Sequence, residues 1–136
     1  MKWVAIDGEF DFAEGVVFHG RPTPYATPQG EDKVGLAFGL AMSSERFSGG
    51  ELSAHVSSNS WTTAGSSCEL VFYFDPTRRL HVSAGIGGVG GSAFVIRQWD
   101  RGWETYATAG NRTTLRPSQK YEVKVVVRGS RVALFR

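Results

Sequence analysis

A chain of 136 residues, 41% of them hydrophobic and 21% charged, can build one domain with a core of its own and is too apolar for a disordered segment. The formal net charge is +2, and Arg78-Arg79 is the only adjacent basic pair, so the basic stripe with interleaved aromatics that marks nucleic-acid binding is missing. A single cysteine, Cys68, excludes an intramolecular disulfide, and no run approaches the roughly 18 apolar residues of a membrane span.

In chain order, WVAI (3–6) and GVVFH (15–19) read as short strands around a turn-rich DGEFDFAE. Acids stand here where a signal peptide needs an apolar run, so the expected home is the reducing cytoplasm. GRPTPYATPQGED (20–32) holds three prolines and reads as a loop, because proline fixes its own φ and cannot donate to a ladder. VGLAFGLAM (34–42) reads as one apolar strand. ELSAHVSS alternates, with Leu52, Ala54 and Val56 on one face and Glu51, Ser53, His55 and Ser57 on the other. Residues 59–67 read as a polar loop.

From Cys68 to Thr108 strand follows strand: CELVFYF, LHVSAGIG, SAFVIRQW and WETYATA, with DPTRR, GVGG and DRG between them. Such a run is an antiparallel meander. GNRTTLRPSQ is a loop, and YEVKVVVRG and RVALFR form a last hairpin turned at Gly129-Ser130. No window carries helical periodicity with caps. About ten strands in one domain over 1–136 predict an all-β fold, a two-sheet antiparallel jelly-roll sandwich. The chain stops in mid-strand at VALFR. That ending predicts either a domain cut from a longer protein or an edge paired by another chain.

The hairpin turns suggest a register. Phe74 opposite Leu80, Ile86 opposite Ser92 and Trp99 opposite Trp103 would align Ser53, Tyr73, His81, Arg97 and Thr105 in one row across the sheet. Leu70, Phe72, Phe74, Val82, Ala84, Ile86, Phe94, Ile96 and Tyr106 would point to the core. Tyr73, His81, Arg97, Trp99 and Trp103 are therefore the candidate ligand-binding residues. The aromatics offer flat faces for a sugar, and Arg97 and His81 offer donors for its hydroxyls. Stability alone also favours mixed aromatic and charged pairs on an exposed sheet.

Asp7, Glu9 and Asp11 alternate, and on a straight strand their carboxylates would share a face, as glycoside hydrolysis or a calcium site requires. Gly8 inside the motif favours a turn with exposed acids instead. Neither a catalytic residue nor a resident metal is assigned, with calcium the one ion these carboxylates could take. GIGGVGG lacks the Lys-Ser/Thr of a phosphate loop, and His19, His55 and His81 show no zinc spacing. Asn111-Arg112-Thr113 matches a glycosylation sequon, but nothing beside it points to secretion.

FSGGELSAHV, CELVFYFDPTRRLHVSAGIGG, AFVIRQW and above all LRPSQKYEVKVVVRGSRVALF resemble the concanavalin A-like lectin/glucanase superfamily in its laminin-G-like branch. The last segment carries the pattern L-x-P-x-x-x-Y-x-V-x-V-x-V-x-G-x-x-V. The resemblance implies a jelly roll with a concave sheet. It implies a non-catalytic module for a carbohydrate or protein partner, with calcium at the rim in some members. Sugar hydrolysis in a minority, and a sensor or oligomerisation role before an effector domain in bacterial cytosolic members, are the alternatives it carries. Nucleic acid and membrane are not among the implied partners. Strand pairing or homo-oligomerisation through the C-terminal edge follows from the open last strand.

Overall fold

A computed structural model describes residues 2–19, 23–26, 32–35, 39–45, 48–58, 61, 67–87 and 89–135, with 23–26 and 32–35 described through the backbone. The chain divides into two compact units, Met1–Arg46 and Phe47–Arg136. Both are built from antiparallel strands, and the sole helical element among the described residues is one 3-10 turn, Arg112–Thr114. No helix among them is long and apolar enough to cross a membrane.

Among its described residues the first unit holds three two-stranded pairings. β1 (Trp3–Asp7) pairs with β6 (Leu40–Ser43), β2 (Phe10–Asp11) with β3 (Val17–Phe18), and β4 (Thr23–Ala26) with β5 (Asp32–Gly35). β4 lies in the segment expected to be loop, and its Pro24 stands opposite Val34. Proline is tolerated in a strand whose N–H side has no neighbour, which a two-stranded ribbon supplies. The strand expected over 34–42 is divided between the end of β5 and β6, and its middle, 36–38, lies outside the described residues.

The second unit holds two sheets. One is the meander, in spatial order β11-β10-β9-β8, from β8 (Ser67–Asp75), β9 (Leu80–Gly87), β10 (Phe94–Trp99) and β11 (Trp103–Ala109). The other has the order β13-β12-β7, from β7 (Gly50–Val56), β12 (Tyr121–Arg128) and β13 (Arg131–Phe135). Period-two alternation gives each sheet one apolar face. Those faces meet in a core where Val56, Tyr121 and Val123 from one sheet join Ile86 and Ala93 from the meander. β7 alternates as the sequence predicts: Val56 is buried and Leu52 and Ala54 half-buried, while Glu51, Ser53 and His55 are exposed. The layers are sandwich-like.

Trp61, read as part of a polar loop, is 1% exposed and belongs to this core. Its indole Nε1 donates to the Arg116 carbonyl at 3.2 Å, and Arg112 Nη1 donates to the Trp61 carbonyl at 3.2 Å. The Arg116 amide donates to the Tyr121 hydroxyl at 2.8 Å. One tryptophan thus fixes the loop that leads into β12. Asn111 Oδ1 accepts from the Thr113 amide at 3.0 Å and caps the 3-10 turn, a structural use for the sequon asparagine.

Gly85 on β9 is fixed by close approach. A Cβ there would collide with the Cys68 carbonyl oxygen and with Glu69 Cα, both backbone atoms of β8. Gly85→Ala is expected to destabilise the protein by about 1–3 kcal/mol, read as a lower denaturant midpoint at unchanged slope. An unchanged midpoint would show that β8 can move away.

A candidate functional site on the outer face of the meander

Neighbouring strands lie about 4.8 Å apart, so a pair spanning two spacings must reach about 10 Å over the strand between them. Glu69 on β8 and Arg97 on β10 make that reach across β9, where the small residues Gly85 and Ser83 stand beside them in register. Arg97 Nε donates to Glu69 Oε1 at 2.9 Å and Nη2 donates to Oε2 at 2.6 Å, a planar two-point pairing. Ser83 Oγ donates to Oε1 at 3.0 Å and Ser67 Oγ to Oε2 at 2.7 Å. The two charged side chains retain only 6% and 9% of their exposure.

An indole covers the pair. Arg97 Cζ lies 3.5 Å from the Trp103 ring centroid, a cation over an aromatic face. Trp99 meets Trp103 edge-on at 5.1 Å, and His81 meets it edge-on at 5.5 Å. Trp99 stands opposite Trp103 and also opposite His81, so three strands deliver these rings to one spot. His81 is 4% exposed, whereas Trp103 keeps 41% of its surface in solvent.

The sequence register holds in part. Trp99 opposite Trp103 and Arg97 opposite Thr105 are as expected. Between β9 and β10 Arg97 faces Ser83 rather than His81, a shift of two residues that preserves the face. Tyr73 departs. An extra residue at Phe72 bulges β8, so that Phe74 faces His81 and Tyr73 faces Val82. A one-residue shift exchanges faces, and Tyr73 lines an end cleft of about 400 Å³ with Phe72, Ser48, Gly49, Val127 and Val132. Ser53 also leaves the row, because β7 pairs with β12 and Ser53 stands opposite Lys124. Four expected residues, His81, Arg97, Trp99 and Trp103, come together, and Tyr73 does not join them.

Glu69 and Ser83 complete the cluster. The available signal for Glu69 was a lone acid inside the apolar run CELVFYF, at a position whose parity matches Val71 and the outer face. Arg97, expected to grip a ligand, is instead 5% exposed and engaged by Glu69.

Cys68, next to Glu69, has its thiol pushed up to about 11 by burial and by the adjacent carboxylate, so it is not a nucleophile near neutral pH. Of the three N-terminal acids, Asp7 ends β1 and Asp11 ends β2, with Gly8 between them at φ 84°. Asp11 Oδ1 accepts from the Ala13 amide at 2.9 Å, and the Asp7 side chain lies outside the described residues. Among the described residues no group of three or more His, Cys, Asp and Glu could hold a metal ion.

Removing one partner of a buried ion pair strands the other, so Glu69→Ala is expected to cost about 3–5 kcal/mol, whereas E69L/R97M together should cost far less. Equal losses in chemical denaturation would show that the pair is not desolvated. His81 is held below its ordinary value of 6.5, chiefly by burial, with Arg97 also lowering it and Glu69 opposing. The unfolded chain therefore binds the proton more readily, and the His81 contribution to stability is present above pH 6.5 and lost as the pH falls below it. His81→Gln should remove that part of the slope in denaturation midpoints between pH 7.5 and 5.5; an unaltered slope would assign it elsewhere. No protein family, curated protein or solved structure matches the chain.

Proposed function

We propose that this chain is a non-catalytic binding module, a jelly-roll sandwich of concanavalin A-like type that takes a carbohydrate on the outer face of the meander. The observation that carries the reading is Trp103, an indole left 41% in solvent while the Arg97 guanidinium holds it from beneath at 3.5 Å. An exposed aromatic already packed against three neighbouring side chains has less rotamer freedom left to lose when a ligand stacks on it. The C–H face of a sugar ring is a flat apolar surface of matching size, and Trp99 adds a second ring at the rim.

The roles differ from those read from the sequence. Trp103 and Trp99 are the contact residues, and Arg97 and Glu69 are positioning residues whose polar atoms satisfy one another. The chemistry of the cluster favours binding over catalysis: the carboxylate is paired, the imidazole is held toward its neutral form and the neighbouring thiol stays protonated. A free thiol of this kind suits the reducing cytoplasm.

The test is a glycan-array screen of the purified chain with and without calcium, repeated with Trp103→Ala and Tyr73→Ala. A saturable hit weakened at least about tenfold by Trp103→Ala and unchanged by Tyr73→Ala is expected. Absence of any hit, or a hit indifferent to Trp103, overturns the assignment.

A further inference from the structure

The end cleft of the second unit shares no residue with the Trp103 cluster. It takes Phe72 and Tyr73 from β8 of the meander, and Val127 and Val132 from β12 and β13 of the other sheet. Its volume of about 400 Å³ lies within the roughly 300–1,000 Å³ of small-molecule sites. Straight alternation would send Phe72 and Tyr73 to opposite faces. The surplus residue at Phe72 lets both rings line the same cleft, and re-aiming a side chain is what bulges do beside functional sites. Tyr73 keeps 55% of its surface in solvent, so the cleft can be reached.

The polar part of the lining is uncharged. Ser48 and Ser130 bring hydroxyls, Tyr73 brings a phenol, and Gly49 and Gly129 bring main chain alone. Gly129 opens the two-residue hairpin loop at φ 59°, and a Cβ there would meet nothing within 4 Å. The peptide groups of Gly129 and Ser130 lie outside the ladder of β12 and β13, which closes at Arg128 and Arg131. Hydroxyls both donate and accept, and a peptide group offers one of each, so the cleft can satisfy a hydroxyl or an amide in either sense.

No Lys, Arg, His, Asp or Glu is among the described residues that line the cleft. Glu51, Glu122, Lys124, Arg128 and Arg131 are one residue out of phase with Val127 and Val132, so alternation sends them to the other face of their sheet. Asp75, two residues beyond Tyr73, accepts through Oδ1 from the Thr77 and Arg78 amides of its own turn. A charged ligand would leave water for a lining without a counter-charge, a cost that an uncharged one avoids. Two adjacent aromatic side chains favour a planar ring, which they can meet stacked or edge-on.

We infer that this cleft is a second binding site, for an uncharged planar aromatic molecule that carries a hydroxyl or an amide. The site is independent of the carbohydrate reading. The test is an NMR titration of the isotope-labelled whole chain with 2-naphthol, compared with 2-naphthoate as its charged counterpart and 2-decalol as its saturated one. Saturable shifts at Tyr73, Val127 and Val132 are expected, with 2-naphthol at least about tenfold tighter than either comparison compound. Ser130→Trp, at an exposed turn position outside the left-handed region, should fill the cleft and abolish the shifts at an unchanged denaturation midpoint. Tyr73→Ala should weaken 2-naphthol at least about tenfold, and Trp103→Ala should leave it bound as before. No saturable binding, equal affinity for either comparison compound, binding indifferent to Tyr73→Ala, or binding lost with Trp103→Ala overturns the inference.

Discussion

A guanidinium and a carboxylate removed from water on the face of a sheet are tolerable only if every strong donor and acceptor near them is engaged. Arg97 and Glu69 meet that condition by bridging β10 and β8 over the small residues Ser83 and Gly85 of β9, with two serine hydroxyls completing the carboxylate. The position of Trp103 follows, because an indole is the broad apolar lid that also attracts a cation. The burial of β9 on both faces follows as well: Ala84 and Ile86 pack inward, and His81 and Ser83 are closed over from outside. Such a pair adds little net stability against an apolar replacement, but it fixes how three strands are aligned.

The meander was legible because its four strands are separated by turns that punctuate cleanly, and hairpin geometry carries register from one strand to the next. That inheritance fails where a turn is longer than it reads, as between β9 and β10, and at a bulge, which leaves no mark in composition. CELVFYF reads as an even alternation, and nothing in it announces that Phe72 is the surplus residue. Pro24 misled for another reason. The rule against proline in strands concerns the donor side, and a ribbon with one partner has a side to spare.

The cluster was visible in its aromatic and basic members and hidden in its acid. His81, Arg97, Trp99 and Trp103 stand out as residue types and share parity within their strands. Glu69 belongs to a strand that was read for its hydrophobicity, and only a three-dimensional arrangement shows a carboxylate two strands away from its cation. Trp61 was hidden in the same way, since a lone aromatic between polar neighbours carries no periodicity to place it.

The bulge in β8 divides one strand between two surfaces. Before Phe72 its outward residues serve the Arg97 cluster; after it Tyr73 serves the end cleft. Point changes at Tyr73 alter one surface and leave the other alone. Loss or gain of a single residue between Glu69 and Tyr73 would exchange the surfaces for everything downstream in the strand. A change in the length of that short interval therefore disturbs both surfaces at once, where a substitution inside it disturbs one.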